Sequence, residues 1–258
     1  MIALKHERIG VAIDPDCGGR LVSLRLDEVE VVPNEEVNQP DFERGCFPLA
    51  PWCGVLPGAG LPATKASMHG LVHSSVWDVA HADSRKARLS TSIGPGTPRP
   101  WPGRGDLELD YALDTDRLQI TLRLRAVDDS LPASVGLHPW FLRKLKDGVG
   151  EARWQYQPSH RLVPGPTTWP RVPSTDLGDG PHDDLFIGLS APPRISWPAG
   201  PTLELRSDAM VWVIYEGHPR GFCIEPWTGT DGPLREHTEP NLLAGETRAL
   251  TLELVFLG

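Results

Sequence analysis

Apolar and polar residues alternate one by one in three segments of this chain. The clearest is RLQITLRLRAV, in which Leu118, Ile120, Leu122 and Leu124 alternate with polar side chains. DLELDYAL and RALTLELVFL repeat the pattern. Successive side chains of a β-strand point to opposite faces, so this period predicts strands with one face in a core and one toward solvent.

Proline and glycine argue against the competing helical fold. The 27 prolines and 26 glycines, about a fifth of the chain, are spread along its length, and in helix interiors both are unfavourable. No amphipathic helical pattern exceeds two turns. The segment 18–32 predicts two strands joined by an acidic turn at Asp27 and Glu28. Because no repeat or composition shift marks a boundary, we expect a single all-β domain over residues 1–258, a large antiparallel β-sandwich.

Two further segments give more local expectations. MVWVIYEGHPRGF resembles a strand, and Glu225 follows it in CIEPWTG. We therefore expect Glu225 where that strand is about to stop. The turn-rich stretch from Ser159 to Asp184 predicts a long ordered loop, and loops of that length are often functional.

Charge and composition exclude several classes of partner. The net charge is −9 and no run of Lys and Arg forms a stripe, so a nucleic-acid partner is not expected. The first residues lack the apolar core of a secretion signal, and no stretch approaches the roughly 20 apolar residues of a membrane span. We therefore expect a cytoplasmic protein without a membrane partner. The oligomeric state is open.

The four cysteines fit a reducing compartment. Cys17, Cys46, Cys53 and Cys223 form no CxxC pair, and the spacing in CFPLAPWC matches no structural zinc pattern. They are expected to be reduced, small buried residues, with no metal bound.

Three motifs place an ionisable side chain beside glycine or proline in apolar surroundings: His69 in MHGLVHSSVWDV, His138 in SVGLHPWF and Glu225 in CIEPWTG. A residue before proline is held in extended backbone, and Trp140 and Trp227 lie close to His138 and Glu225. Aromatic rings beside convergent polar groups suit a sugar site. Alone, each motif is explained as well by a hydrogen-bonded core histidine, a solvated strand end or core packing.

The order of these motifs resembles the aldose 1-epimerase, or galactose mutarotase-like, family. DCGGRLVSLRLDEVEVV is similar to its N-terminal hairpin, FPLAPWC to its PLxPW segment and MHGLVHSSVWDV to its HG motif. VGLHPWF resembles GxHPYF, HDDLF an acidic segment, CIEPWTG the EPxTG motif, and LLAGETRALTLELVF the closing strand.

The resemblance implies a galactose mutarotase-like supersandwich that binds a sugar in a groove and uses no metal or organic cofactor. It implies Glu225 as catalytic base and His138 as general acid. His69 corresponds to a sugar-contacting histidine, and Asp183 or Asp184 to an acidic residue that binds ring hydroxyls. Ring opening needs one proton removed and one delivered. With ordinary pKa values we expect Glu225 ionised and His138 protonated near neutrality.

One departure from the family pattern leaves alternatives open. The family's PLxPW segment usually continues into Asn-Arg, whereas Gly54 and Val55 stand there in this chain. Arg20, Arg44 or Arg104 could supply the missing guanidinium, or the substrate differs, or binding is retained without catalysis. The alternative to a mutarotase is therefore a non-catalytic carbohydrate-binding or regulatory protein. A hexose-6-phosphate epimerase is less expected, because the chain lacks the arginine that would bind a phosphate. A glycoside hydrolase is also less expected: it needs two carboxylates, and this interpretation leaves the histidine motifs unexplained.

Overall fold

The described part of the chain consists of two antiparallel sheets. The structure, a computed structural model, describes residues 1–33, 43–54, 68–98, 101, 103–128, 131, 134–146, 148–163, 171–173, 180–229 and 241–257. These residues contain nineteen strands and no helix, so no described segment has the helical length and apolarity that a membrane crossing requires. The expected all-β fold with two packed sheets is confirmed.

The first sheet has eleven strands and carries the candidate site. Its strands, in spatial order, are β1 (Ile2–His6), β2 (Ile9–Asp14), β3 (Arg20–Leu26), β5 (Cys46–Leu49), β10 (Gly136–Leu142), β18 (Gly221–Trp227), β17 (Val211–Tyr215), β14 (Asp183–Ile187), β12 (His160–Leu162) and β13 (Arg171–Pro173), with β4 (Val29–Glu30) paired to β3.

The second sheet has eight strands and contains the three alternating segments. Its order is β11 (Arg153–Gln155), β15 (Arg194–Ser196), β16 (Thr202–Ser207), β19 (Thr247–Leu257), β9 (Arg117–Ala126), β8 (Gly105–Leu113), β7 (Lys86–Ile93) and β6 (Asp78–Ala82). In β9 the four alternating apolar side chains are fully buried, as the period predicts. The turn at Asp27 and Glu28 also forms where expected, with positive φ at both residues.

The main core lies between the sheets. Leu137 and Phe141 of β10 and Phe222 and Ile224 of β18 belong to one buried cluster with apolar residues of the second sheet. Burying a side chain of this size contributes roughly 1.5–3 kcal/mol. Because strand side chains alternate, the residues between them, including His138 and Glu225, point to the opposite face of the first sheet.

Two local expectations are wrong. The stretch from Ser159 to Asp184 is not one loop, since its described residues include β12, β13 and the start of β14. The segment MVWVIYEGHPRGF is also not one strand. It belongs to a hairpin of β17 and β18, in which the turn signal HPRG separates two apolar runs. The expected position of Glu225 near a strand end is nevertheless correct, since it lies two residues before the end of β18.

Candidate functional site

The outer face of the first sheet carries a second, smaller apolar cluster around two ionisable residues. Its members are Phe47, Leu49, Cys53, Trp140, Leu162, Leu185, Ile187, Val211, Val213, Cys223 and Trp227. His138 and Glu225 lie among them on the central strands β10 and β18. A face of a sheet turned away from the main core, yet lined with buried side chains, is a suitable floor for a ligand.

Strand register places His138 and Glu225 opposite each other. Gly136 pairs with Trp227 and Trp140 pairs with Cys223, and the two ionisable residues lie midway between these pairs. Regular pairing stops over this interval. Each strand has a proline there, Pro139 and Pro226, and a proline has no N–H to donate to the neighbouring strand.

The two side chains are in direct contact. Nε2 of His138 lies 3.3 Å from Oε1 of Glu225. His138 is 6 % exposed and Glu225 is 2 % exposed. The indole N–H of Trp227 donates to the other carboxyl oxygen, Oε2, over 3.2 Å. Trp227 therefore orients the carboxyl group so that Oε1 faces the imidazole.

Burial sets the protonation of this pair, and it reverses the expected assignment. The pKa of Glu225 is raised well above its usual value, chiefly by burial and further by the charge of Asp183. The pKa of His138 is lowered well below its usual value by burial and by His69 and Arg20. Both groups therefore favour their neutral forms in the free site. The expectation used the pKa values of hydrated groups, and the loss of hydration on burial favours the neutral form of each.

His69 is held beside the pair by a strained turn. Its φ is +63°, its N–H donates to the carbonyl of Gly54 at 2.7 Å, and its Nδ1 accepts from the Gly54 N–H at 3.2 Å. The ring stands edge-on to that of His138 with centroids 5.1 Å apart. Burial and His73 lower the pKa of His69 to about 3. Nδ1 is thus an acceptor, and Nε2–H is left as the donor.

The two adjacent aspartates separate onto opposite faces of β14. Asp183 alternates with Leu185 and Ile187, which belong to the outer cluster, so it shares the face of Glu225. Asp184 faces the other way, where its carboxylate contacts Nδ1 of His182 at 3.0 Å and Arg161 at 3.4 Å. Burial and Asp184 raise the pKa of Asp183. The structure thus brings Asp183, and not Asp184, to the candidate site.

Trp140 and Trp227 support the site from its sides. They are 3 % and 4 % exposed. The Trp140 ring is nearly parallel to that of His138 at 5.8 Å and meets Tyr215 and His218 edge-on. Both side chains are therefore buried in the outer face of the first sheet, next to His138 and Glu225.

Arg20 is the candidate arginine that comes nearest, but it lies beneath the site. Its side chain is fully buried, and its Nη1 donates to the carbonyl of Arg44 over 2.8 Å. Its guanidinium lies 4.4 Å from the ring centroid of Phe47, and that ring stacks on His138 at 4.5 Å. Val55 lies outside the described residues.

The two other arginines have different surroundings. Nη2 of Arg44 lies 4.0 Å from Sγ of Cys17. Arg104 precedes β8 in the second sheet, where its carbonyl accepts from Val127. Neither contact involves His138 or Glu225, whereas the charge of Arg20 contributes to the lowered pKa of His138.

Sequence reasoning missed several residues that line this face. Phe47 stacks on His138, and Tyr215 and Cys223 lie in the cross-strand row that joins Trp140 to Asp183. A period-two signal was available for Cys223, which stands two residues before Glu225 and therefore shares its face. All four cysteines are free thiols, and Cys17 is half-buried while the other three are buried.

A separate open cleft of about 910 Å³ contains none of these residues. Its lining mixes cations such as Arg143, Lys144 and Arg220 with acids such as Glu28 and Glu151, so it presents no single sign of charge to a ligand. The chemistry-bearing side chains lie at the outer face of the first sheet instead.

Solved structures of other proteins share this architecture over nearly the whole chain. A galactose mutarotase-like protein from Clostridium acetobutylicum superposes with a TM-score of 0.83 at 16% identity, covering 99% of this chain and 94% of that chain. One from Lactobacillus casei gives 0.78 at 19% identity and covers 100% of both chains. A galactose mutarotase related enzyme from Lactobacillus acidophilus gives 0.78 at 17% identity, covering 99% and 97%. At these identities the likeness shows the fold alone, a galactose mutarotase-like β-sandwich.

A match to a protein family adds to the fold. The family model for aldose 1-epimerase matches residues 1–182, more than half of the sequence. The chain therefore belongs to the aldose 1-epimerase family, as its motifs suggested. No curated protein matches the chain.

Proposed function

We propose that the protein is a mutarotase, an aldose 1-epimerase that interconverts the α and β anomers of a free sugar by acid–base catalysis. The observation that carries this proposal is the contact of His138 Nε2 with Glu225 Oε1, 3.3 Å apart on the outer face of the first sheet. Family membership supports it. The substrate is proposed to be an uncharged aldose, and no cofactor takes part in the proposed steps.

The side-by-side arrangement of the pair suits the chemistry of a hemiacetal. Ring opening removes the proton of the anomeric hydroxyl and adds a proton to the ring oxygen. Both oxygens are bonded to the same carbon and lie close together, so two neighbouring groups can contact both at once. Rotation about the bond between the first two carbons, followed by the reverse transfers, closes the ring as the other anomer.

His138 and Glu225 need to share only one proton to open the sugar ring. In the free site, burial favours a protonated Glu225 and a neutral His138. Family resemblance assigns Glu225 as the base and His138 as the acid, which requires the proton to pass from Oε1 to Nε2 when the sugar binds. Sugar hydroxyls that replace lost hydration favour this ionised form. Positioned acid–base groups typically contribute about 10²–10⁴-fold each.

Two further residues are proposed to hold the sugar. His69, whose ring stands edge-on to that of His138 with centroids 5.1 Å apart, is proposed to contact the sugar beside the pair. Asp183 offers a carboxylate to ring hydroxyls from the same face of the sheet. A carboxylate that accepts hydrogen bonds from two neighbouring hydroxyls selects for their configuration, so Asp183 is the residue that we expect to distinguish between sugars.

The proposal is tested by following freshly dissolved α-glucose, α-galactose and related aldoses by polarimetry or NMR. Wild-type protein should bring at least one sugar to anomeric equilibrium faster than buffer does. Glu225→Gln and His138→Asn should each lower the acceleration by about 100-fold or more. Glu204→Gln is the matched control, because Glu204 is an equally buried glutamate in the second sheet. Activity that survives Glu225→Gln would refute the mechanism.

A second candidate function is sugar binding without catalysis. Gly54, which replaces the family asparagine, contributes only backbone groups to His69, and the neighbouring family arginine is replaced by Val55. Calorimetry that detects sugar binding, together with no acceleration of mutarotation for any aldose, would favour this function over the mutarotase.

A further inference from the structure

We propose that His138, Cys223 and Glu225 form a binding site for a zinc-like divalent cation, and that the bound cation blocks the mutarotase reaction. The effect on activity rests on the proposed function, whereas the binding itself does not. The cation would be an inhibitor and not a cofactor, because it occupies the atoms that the reaction needs.

Strand geometry brings the three potential ligands together. Cys223 and Glu225 are two residues apart on β18 and therefore share a face, and His138 lies opposite on β10. One ligand atom from each residue, a nitrogen, a sulfur and an oxygen, lies within 4.8 Å of the other two. All three residues are buried. Tetrahedral zinc sites have metal–ligand distances of about 2.0–2.3 Å, so a contraction of about an ångström closes the group around one ion.

The donor set selects the kind of metal. A thiolate with an imidazole and a carboxylate suits Zn²⁺, whereas Mg²⁺ and Ca²⁺ prefer oxygen ligands alone. Three protein ligands leave one position of a tetrahedron, which a water molecule would fill. Binding releases the thiol proton of Cys223 and the carboxyl proton of Glu225, and the neutral imidazole donates its lone pair.

Charge balance favours the metal-bound state in this buried place. A thiolate and a carboxylate carry two negative charges, which one divalent cation neutralises. An isolated charge here would be costly, and coordination by a cation is one of the ways in which buried charges are compensated.

The hydrogen bonds that support the ligand side chains influence how tightly the site would bind the cation. Trp227 holds the Glu225 carboxyl group with Oε1 toward His138, as supporting residues do in established metal sites. Among the described residues no other side chain or backbone group bonds Nδ1 of His138. A missing support of this kind typically lowers metal affinity by about 10–100-fold. We therefore expect reversible binding that a chelator removes.

Metal and sugar must exclude each other. The lone pair of Nε2 and the carboxyl oxygen that would transfer protons become ligands, so neither group can act as acid or base. Zinc should therefore inhibit competitively with respect to sugar, and a chelator should restore full activity.

Direct binding is measured first, by a method that needs no activity. Wild-type protein is titrated with Co²⁺, and the near-ultraviolet thiolate-to-cobalt absorption is followed. Zn²⁺ is then measured by competition with a chromogenic chelator. We expect one ion per chain, a thiolate band and displacement of Co²⁺ by Zn²⁺. Absence of stoichiometric binding, or binding without the thiolate band, would overturn the proposal whether or not the protein is a mutarotase.

Cys223→Ala separates the metal site from the reaction. It removes the sulfur ligand and leaves His138 and Glu225 in place, so competition with the chelator should show a loss of zinc affinity of at least 10-fold. Cys46→Ala is the matched control, since Cys46 is equally buried but faces the main core. Unchanged zinc inhibition in Cys223→Ala would also refute the site. The cobalt band of the wild type decides the question if that variant does not fold.

Discussion

Acidification should destabilise this protein through His69, and the size of the effect follows from its surroundings. The imidazole is buried against His138 and His73, and its Nδ1 accepts the N–H of Gly54. A protonated ring has no acceptor, so protonation would break this hydrogen bond and place a charge in a dry site. The folded state therefore keeps His69 neutral until the pH falls to about 3.

The magnitude comes from the difference between the two states. The unfolded chain binds the proton near pH 6.5, and the folded protein binds it near pH 3. Each pH unit between these values is worth about 1.4 kcal/mol. Because the folded pKa is the lower one, stability is unaffected above pH 6.5 and falls as the pH drops below it. The loss is about 3 kcal/mol at pH 4.5 and about 5 kcal/mol near pH 3, which is large against a typical total of about 5–15 kcal/mol.

The matched variant is His69→Asn. Asparagine tolerates the positive φ of this position, and its amide oxygen can accept from Gly54 as Nδ1 does, but it does not titrate. Urea unfolding at pH 7 and pH 4.5 should give a drop in unfolding free energy about 3 kcal/mol smaller in the variant than in the wild type. His81→Asn, at an exposed histidine, should not reduce the drop. Equal drops in wild type and His69→Asn would refute the reasoning.

The remaining predictions concern the acid pair, the aspartates and one turn. Glu225→Gln should raise the unfolding free energy at pH 7 but not at pH 4, because the unfolded state gains by ionising Glu225 only above its ordinary pKa; denaturant titration at both pH values measures this. Asp183→Asn should weaken sugar binding in calorimetry with little change in melting temperature, whereas Asp184→Asn should lower the melting temperature and spare binding. Gly70→Ala should cost several kcal/mol, since its φ is +80° and a Cβ would lie 1.9 Å from a backbone oxygen; Gly96→Ala, with φ +81° and open space, should cost only about 1–2 kcal/mol.

The sequence predicted well those parts of the fold that depend on local pattern. β8, β9 and β19 follow from alternation alone, and the turn at Asp27 and Glu28 follows from its acidic residues between two apolar runs. The stretch from Ser159 to Asp184 was predicted less well. Its prolines and glycines mask short strands, which form because neighbouring strands offer hydrogen bonds that a local pattern does not reveal.

The candidate site depends on contacts that no local pattern contains. His138 and Glu225 are far apart in sequence, and only the pairing of β10 with β18 sets them opposite each other. Alternation along β14 places Asp183 and Asp184 on opposite faces of the sheet, but the sequence does not say which face carries the candidate site. The protonation of the pair was predicted in the wrong direction, because ordinary pKa values apply to hydrated groups, and the degree of burial becomes known only from the structure.

The prolines in the paired strands β10 and β18 have a consequence for attempts to stabilise the sheet. Central strands rarely contain proline, and each proline here removes one potential hydrogen bond beside His138 and Glu225. Selection for stability alone would replace Pro139 and Pro226 with residues that restore the ladder. A tighter ladder would fix the distance between imidazole and carboxyl, which now depends on side-chain packing and can adjust as a proton moves. Stabilising substitutions at these positions are therefore the ones that directed evolution should find incompatible with turnover.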